Sequence, residues 1–496
     1  MSNLPQVRIG IVAVSRDCFP NSLSQTRMEA IVRETESRSL PVTKIDTLVV
    51  CEKDVTPALD ELRAKGCNAM VLFLGNFGPE GPETILVKRF AGPSMMLAAA
   101  EESGESLIDG RGDALCGLLN ASYNLALRGC RCHIPENPLG TAPELAARIE
   151  AFIPVARVLL GIAGLKVISF GPRPQDFYAC NAPIKPLYDL GIEVEENSEL
   201  DLFAAYKRHA DDPRIGGIAE EMKAELGAGN HMPAILPKLA QYELTLKDWM
   251  QDHKGDSQYV CFANKCWPSF QTEFGFVPCY VHARMAAQGI PVACEVDIYG
   301  AVSMYMCYCA TLDVPALLDL NNTVPHDMFA GEIRPRYACE ESDLLMGFHC
   351  GNTAVCKLKK PEIKYHILMK RTLEPETEPN ITRGTLEGDI AGSDITIFRL
   401  QATADNHLQS YLAQGRFLDV PSHTFGGVGV MEIPQMRRFY RHVLIEKRFP
   451  HHTAVGFAFA GEALFAALRY LGIRDISYNH PKSLPYETEI DFRSPF

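Results

Sequence analysis

The first 165 residues alternate between short apolar runs and polar segments, and this alternation constrains the fold more than any other feature of the chain. Apolar runs such as Val7–Val14 and Ala69–Gly75 are typical of buried strands, whereas Ser22–Ser37 has a helical pattern. Alternation of this kind predicts a parallel sheet that is covered by helices on both faces. We therefore expect the chain to begin with an α/β domain.

A second alternation begins at Lys166–Phe170 and includes the predicted strands Tyr259–Ala263 and Pro291–Asp297. After about residue 357, short alternating segments separated by Gly, Asp and Asn favour a small antiparallel sheet or barrel. The prediction is an α/β protein with two Rossmann-like (flavodoxin-like) parallel-sheet domains, residues 1–165 and 166–355, followed by a small β-rich α+β domain, residues 356–496. The length of 496 residues is consistent with about three domains.

Composition excludes several classes of protein. Lys and Arg number 48 against 61 Asp and Glu, a net charge of −13 that argues against a nucleic-acid partner. No apolar run approaches the ~18–20 residues of a membrane helix, and the first residues lack a secretory pattern. We therefore expect a cytoplasmic protein with no membrane partner. The 16 cysteines form no CxxC pair, so we interpret them as free thiols.

Acidic residues that follow apolar strands are the most informative side chains. Glu295 and Asp297 follow the run PVAC and, being two residues apart, are expected to face the same side. Asp297 fits equally well as the N-cap of the next helix. Asp319 follows the apolar run VPALL, and one strand–helix–strand step would place it beside Glu295. The two carboxylates would then share one divalent cation.

An imidazole beside such carboxylates shifts the preference of the site toward Mn²⁺, Co²⁺ or Zn²⁺. His451 and His452 precede an apolar strand and His349 ends another, but composition alone does not choose among the 14 histidines. Arg16 and Asn76 follow the first and third predicted strands, at the edge where open α/β sheets bind ligands. Arg16 fits equally well as a surface ion-pair residue.

Three runs carry a resemblance to a known family: CFANKCWPSF (261–270), GIPVACEVDIYGAVSM (289–304) and PHHTAVGF (450–457). They resemble the L-fucose isomerase family and its L-arabinose isomerase relatives, and the similarity spans nearly the whole chain. The resemblance implies a metal-dependent aldose–ketose isomerase that acts on a free sugar of the L-fucose, D-arabinose or L-arabinose type through an enediol. The implied cofactor is Mn²⁺, with Mg²⁺ or Co²⁺ as alternatives.

The same resemblance implies roles for individual residues. Glu295 and Asp319 correspond to carboxylates that bind the metal and take part in catalysis, and His452 corresponds to the metal-binding histidine. His349 falls where the arabinose isomerases have a further histidine ligand, so its role stays open. The residues implied to lie near or hold the sugar are Asn264, Lys265 and Trp267, together with Arg16 and Asn76.

In the related isomerases, the amino-terminal domain of one subunit covers the active site of its neighbour. We therefore expect a homo-oligomer, a trimer or a hexamer, with composite active sites. Two other functions stay open: a sugar-binding protein that has lost catalysis, and a metal-dependent epimerase or lyase that uses a related enediolate. A hydride shift is the alternative to the enediol path.

Overall fold

A computed structural model describes residues 3–108, 110–365 and 383–489. The chain divides into two compact units. The first unit contains Pro5–Leu160 and Ala463–Gly472, and the second contains Met1–Leu4, Gly161–Glu462 and Ile473–Phe496. Among the described residues, no helix combines the length and the apolar character that crossing a membrane requires.

The first unit is built on a five-stranded parallel sheet. Its strands are β1 Ile9–Val14, β2 Val42–Lys44, β3 Ala69–Leu74, β4 Ser94–Ala99 and β5 Leu139–Gly140. The helices between and after them are α1 Asn21–Ser37, α2 Val55–Ala64, α3 Glu80–Arg89, α4 Ala114–Leu127 and α5 Ala142–Ala163. The strand order β2-β1-β3-β4-β5 is flavodoxin-like, as predicted.

A four-stranded parallel sheet begins the second unit. Its strands are β6 Leu165–Gly171, β7 Glu193–Ser198, β8 Tyr259–Asn264 and β9 Val292–Cys294, in the order β7-β6-β8-β9. Its helices are α6 Lys185–Asp189, α7 Glu199–Arg208, α8 Arg214–Leu226, α9 Leu236–His253, α10 Cys279–Ala287 and α11 Ile298–Thr311.

A nine-stranded mixed sheet completes the second unit. Its strands are β10 Ala316–Asn322, β11 Leu344–His349, β12 Leu358–Tyr365, β13 Arg383–Ile390, β14 Ser393–Ala402, β15 Leu408–Leu418, β16 Gly427–Glu432, β17 His452–Gly456 and β18 Asp475–Tyr478. Two further helices of this unit are α12 His326–Met328 and α13 Met436–Phe439, whereas most of α14, Gly461–Tyr470, belongs to the first unit. The strand order is β12-β13-β16-β11-β10-β17-β14-β15-β18.

The predicted fold class is confirmed, and the domain edges near residues 165 and 355 stay a prediction. One predicted arrangement is wrong: Glu295 and Asp319 do not follow neighbouring strands of one sheet. β9 belongs to the four-stranded parallel sheet, whereas β10 lies in the nine-stranded sheet between β11 and β17. Both strands are apolar and one helix separates them, so sequence pattern alone does not distinguish this change of sheet from a parallel crossover.

Candidate active site

Asp319 and His452 face each other across two neighbouring strands. β10 and β17 are antiparallel, and their register places Asp319 opposite His452. Residues opposite each other in an antiparallel pair project to the same face of the sheet. The Oδ1 atom of Asp319 lies 3.3 Å from Nε2 of His452 as a result.

Glu295 reaches the same imidazole nitrogen from a tight turn. Strand β9 ends at Cys294, and both Glu295 and Val296 then adopt left-handed backbone conformations, with φ of 57° and 58°. This conformation is uncommon for any residue other than glycine and is an outlier for a β-branched one. The turn places Oε2 of Glu295 3.0 Å from Nε2 of His452. The extended strand predicted through Asp297 is therefore too long, although the convergence of the two acids is real.

Asp297 orients the imidazole from its other side. Its Oδ2 atom lies 2.8 Å from Nδ1 of His452, and its Oδ1 atom accepts hydrogen bonds from Gly300 N at 2.8 Å and Arg399 Nη2 at 2.9 Å. The carboxylate thus caps helix α11, which is one of the two roles expected for Asp297 from the sequence. It also fixes the position of His452. A carboxylate on one ring nitrogen fixes the orientation of an imidazole whose other nitrogen binds a metal.

The electrostatics of the cluster favour a cation. Burial by itself raises the pKa of Asp297, but the Arg399 guanidinium and His452 outweigh it and hold that pKa well below its ordinary value. Burial lowers the pKa of His452, but the hydrogen bond to Asp297 and the nearby carboxylates of Asp319 and Glu295 raise it well above its ordinary value. The pKa of Asp319 is lowered in the same way as that of Asp297, because the neighbouring imidazoles outweigh the effect of burial.

The residues present fit a divalent cation. Glu295, His349 and His452 offer ligand atoms that all lie within 4.8 Å of one another. Among the described residues, Nε2 of His452, Oδ1 of Asp319 and Nδ1 of His349 have no aligned hydrogen-bond partner. Buried polar atoms without a partner are rare and mark the place of a water or an ion. Carboxylate oxygens combined with imidazole nitrogen form the ligand set that suits Mn²⁺ and related metals.

The family resemblance implied that Trp267, Asn264 and Lys265 lie near the sugar. The structure gives each of the three its own set of partners. Trp267 is buried in a small cluster with Cys266 and Cys294, and Cys294 directly precedes Glu295 in the chain. Asn264 is fully buried at the end of β8, where its Nδ2 donates to the hydroxyl of Tyr242 at 3.0 Å. Lys265 forms an ion pair with Glu199 at 2.7 Å.

Arg16 and Asn76 lie together at the carboxyl ends of β1 and β3, in the first unit. The buried Oδ1 of Asn76 accepts from the backbone N–H of Arg16 at 3.1 Å. Arg16 pairs with Glu80 at 3.2 Å and lies over the ring of Phe77. These contacts match the surface ion pair that was the alternative for Arg16, and the composite active site stays a prediction.

Several residues of the site were missed from the sequence. Arg399 is fully buried on β14 and anchors Asp297; the signal was a charged residue on the apolar face that Ile395 and Ile397 define. Phe177 packs its ring against the rings of His451 and His452, with centroids 5.6 and 6.1 Å away. It comes from a loop after β6 whose sequence gives no sign of this contact.

Two flavodoxin-like sheets precede a mixed sheet, and Glu295 from the turn after β9 joins Asp319 and His452 of that mixed sheet in one cluster, an arrangement typical of an α/β enzyme with a metal centre. Residues 10–163 match the family description "Fucose/sulfoquinovose isomerase, N-terminal domain", and residues 347–478 match "L-fucose isomerase, C-terminal domain". Together the two matches cover more than half of the chain. The chain therefore belongs to the L-fucose isomerase family of aldose–ketose isomerases.

Individual relatives carry a more specific name. The chain is 24% identical over 322 residues to the sulfoquinovose isomerase of Alkalicoccus urumqiensis, which covers 63% of this chain and 65% of that protein. It is 25% identical over 340 residues to the sulfoquinovose isomerase of Priestia aryabhattai, covering 67% and 69%. The sulfoquinovose isomerase of a Clostridium species (strain MSTE9) is 24% identical over 406 residues, covering 79% and 83%.

Proposed function

We propose that the chain interconverts an aldose and its 2-ketose, with a divalent cation of the Mn²⁺ type held by Glu295, Asp319 and His452. The observation that carries this proposal is the convergence of Glu295 Oε2 and Asp319 Oδ1 on one imidazole nitrogen, at 3.0 and 3.3 Å. His349 is a candidate fourth ligand, since its Nδ1 has no aligned partner among the described residues. Mg²⁺ and Co²⁺ are the alternative cations.

A bound divalent cation supplies Lewis-acid polarisation of the sugar's hydroxyl and carbonyl oxygens. The carboxylates of Glu295 and Asp319 move the protons. One of them removes the proton from C2 and returns it to C1 through a cis-enediol, and the other serves the exchange of a proton between O1 and O2. Asp297 and Arg399 hold His452 in place during this exchange, because both are buried and bonded to each other.

For the substrate, we propose an aldohexose that bears a sulfonate group. The support is that the relatives named above are sulfoquinovose isomerases. Sulfoquinovose is a glucose in which a sulfonate replaces the 6-hydroxyl. The neutral sugars predicted from the sequence, L-fucose, D-arabinose and L-arabinose, belong in the same substrate panel.

The test is to incubate the protein with Mn²⁺ and this panel in D₂O and to identify the products. We expect a ketose and deuterium at the exchanged carbon; a ketose without deuterium indicates a hydride shift. C2-epimers or retro-aldol fragments without ketose would instead identify an epimerase or a lyase. Binding of the sugar without any product would identify a sugar-binding protein.

Substitution of the carboxylates tests the residue assignments. Glu295→Gln and Asp319→Asn are expected to lower kcat by at least about 100-fold, the usual contribution of a positioned acid or base. Glu193→Gln, which changes an exposed carboxylate on β7, is the control and should keep full activity. Near-normal turnover by Glu295→Gln with metal bound would rule out its assigned role.

We also propose that the active enzyme is a homo-oligomer, a trimer or a hexamer, in which Arg16 and Asn76 serve a neighbouring subunit's site. Support comes from their position at the β1–β3 switch point, where sheets of this order bind ligands. Analytical ultracentrifugation with parallel activity measurements tests this assembly. A fully active monomer would contradict it.

A further inference from the structure

Two cysteines lie side by side at the edge of the sheet that also positions Glu295. Strands β8 and β9 are parallel neighbours, and their register places Asn264 opposite Cys294. Cys266 follows Asn264 by two residues, in the loop after β8, and so it lies at the same edge as Cys294. The two cysteines pack with Trp267 in one small buried cluster. The proposed isomerase chemistry uses neither thiol.

The two thiols and the carboxylate of Glu295 form a compact group of metal ligands. The Sγ atoms of Cys266 and Cys294 and one carboxylate oxygen of Glu295 all lie within 4.8 Å of one another. Around a tetrahedral zinc ion with Zn–S bonds of about 2.3 Å, two sulfur ligands stand roughly 3.8 Å apart. Small side-chain movements would therefore bring the three ligand atoms onto one ion.

Two further thiols surround this group. Cys279 and Cys350 lie near enough to Cys266 to act on its thiol electrostatically. A Cβ atom on Gly351, the residue after Cys350, would lie 3.1 Å from Cβ of Cys279, so the two cysteines belong to segments that pack on each other. All four cysteines, with Cys294 as the fourth, are free thiols. The surroundings of the group are therefore rich in sulfur, in contrast to the carboxylates and imidazoles of the candidate active site.

The group is buried except at Glu295. Cys266 and Cys294 are 9% and 2% exposed, whereas the side chain of Glu295 keeps 15% of its surface exposed. A cation can therefore approach from the side of Glu295. Thiolates select thiophilic cations such as Zn²⁺ over Mn²⁺, which prefers oxygen ligands. A bound cation displaces the proton of each coordinating thiol, so two Zn–S bonds form as two protons pass to solvent.

We propose that Cys266, Cys294 and Glu295 form a second metal site, which takes a thiophilic divalent cation of the Zn²⁺ type. Glu295 is also a ligand of the proposed Mn²⁺ site, since its Oε2 lies 3.0 Å from Nε2 of His452. One carboxylate then serves two cations, whose like charges repel each other. Zn²⁺ therefore lowers the affinity for Mn²⁺, and Mn²⁺ lowers the affinity for Zn²⁺ by the same factor. The zinc site itself goes beyond the proposed function, because it requires neither a sugar nor turnover.

X-ray absorption at the zinc edge tests this site, because it separates Zn–S bonds of about 2.3 Å from Zn–N and Zn–O bonds of about 2.0–2.2 Å. With one equivalent of Zn²⁺ and an excess of Mn²⁺, we expect two sulfur ligands per zinc in the native chain. Cys266→Ser and Cys294→Ser should each remove at least one sulfur ligand. Each should also lower Zn²⁺ affinity, measured by calorimetric titration, by more than about 100-fold, since residues that only orient metal ligands already contribute about 10–100-fold. Cys18→Ser, at an exposed position, is the control and should keep both sulfur ligands.

Asp319→Asn separates this inference from the proposed function. Asp319 belongs to the proposed Mn²⁺ site and not to the thiol group, so both sulfur ligands should persist in this variant. If the native chain makes no ketose but binds zinc through two sulfur atoms, the proposed function fails and the inference stands. Zinc bound by nitrogen and oxygen alone, or sulfur ligands that survive the simultaneous substitution of Cys266 and Cys294, would overturn it. Thermal unfolding confirms that each variant is folded, and the sulfur count of the native chain decides the matter even if a cysteine variant does not fold.

Discussion

The carboxylate of Asp297 has three partners: the first turn of α11, the guanidinium of Arg399 and the imidazole of His452. Asp297, Arg399 and His452 are each about 1% exposed, so water contributes little to their charge balance. A buried ion pair stabilises little relative to apolar packing, yet breaking it by removing one partner is costly. The cluster is therefore better understood as a device that fixes His452 than as a source of stability.

The substitution Asp297→Asn removes the negative charge of the side chain but keeps its ability to cap helix α11. Asparagine caps helices as well as aspartate does, so the hydrogen bond to Gly300 N can persist. The neutral amide leaves Arg399 unpaired, and we expect a loss of about 3–5 kcal/mol in the free energy of unfolding. We also expect Mn²⁺ affinity to fall about 10–100-fold, as for other residues that orient metal ligands.

Urea unfolding and Mn²⁺ titration measure the two effects of Asp297→Asn. The matched control is Asp189→Asn, since Asp189 forms an exposed ion pair with Lys185 and should alter neither quantity noticeably. Native stability and native metal affinity in Asp297→Asn would show that the charge of Asp297 is dispensable.

Glu83 on α3 is a fully buried carboxyl group whose two oxygens have no hydrogen-bond partner among the described residues. Burial, together with the charge of Glu80, raises its pKa from 4.5 to about 8. The folded chain therefore keeps a proton that the unfolded chain releases above pH 4.5. Stability contributed by this proton is complete below pH 4.5 and falls as the pH rises toward about 8.

Glu83→Gln removes this dependence, since the amide does not titrate. Relative to the native chain, we expect the variant to gain stability between pH 5 and pH 8, by an amount on the order of 3 kcal/mol. Urea unfolding at the two pH values measures the gain, and Glu36→Gln, at an exposed site on α1, is the control. Parallel pH profiles for Glu83→Gln and the native chain would mean that Glu83 ionises normally in the fold.

The convergence of Glu295 and Asp319 in the candidate site was predictable from the sequence, because a charged residue after an apolar strand seldom serves packing alone. Glu295, Asp319 and one histidine of the pair 451–452 were found in this way or through the family resemblance. Arg399 was not, because its counter-charge is 102 residues away in the chain and no local pattern connects the two. Contacts made by loops, such as that of Phe177 with His452, have no periodic signal at all.

At the scale of elements, the strands and helices of the first unit were predicted well because hydrophobic periodicity is local. The predicted helix Ser22–Ser37 nearly coincides with α1, and the predicted strand Ala69–Gly75 nearly coincides with β3. The predicted strand Val7–Val14 was slightly too long, since β1 begins at Ile9. The turn at Glu295 and Val296 was also missed, because neither residue type normally adopts a left-handed conformation.

Helix α4 packs closely against the segment that follows β3, and a substitution can test this contact. A Cβ atom on Gly117 would lie 1.8 Å from the backbone oxygen of Phe77, so the helix approaches the segment after β3 as closely as only glycine allows. We expect Gly117→Ala to lower the free energy of unfolding by about 1–3 kcal/mol, the usual cost of overpacking.

Gly217 on α8 gives the opposite case, since a Cβ atom there meets nothing within 4 Å. Gly217→Ala should raise the free energy of unfolding by about 0.5–1 kcal/mol through the higher helix propensity of alanine. Denaturant unfolding of both variants measures the difference. Equal effects of the two substitutions would show that helix propensity, and not the contact with Phe77, decides the outcome at Gly117.

For the whole molecule, the strand order of the large sheet was beyond the reach of sequence pattern. β10 pairs with β17, although about 130 residues, which include six other strands, separate them in the chain. Local periodicity identifies each strand but contains no information about its distant neighbour. The pairing matters because it is what brings Asp319 to His452.

Stability of the native chain should depend on the proposed cation. A ligand that binds only the folded state adds about 2.7 kcal/mol when its concentration is 100 times its Kd. We therefore expect Tm to fall after treatment with a chelator and to recover with Mn²⁺, whereas His452→Gln should show no recovery. Differential scanning calorimetry measures the shift. A native chain whose Tm responds to none of Mn²⁺, Mg²⁺ and Co²⁺ would contradict the metal site.

The first unit is built from two segments that are far apart in the chain, and this has a consequence for the order in which its parts are synthesised. Ala463–Gly472 belong to that unit, and the hydroxyl of Tyr470 accepts a hydrogen bond from the backbone N–H of Ser94 at 3.2 Å. About 300 residues of the second unit are synthesised between Leu160 and Ala463. At roughly 5–20 residues per second, a ribosome needs about 15–60 s to reach the missing segment. The first unit is therefore without this segment until the second unit's 300 residues have been synthesised.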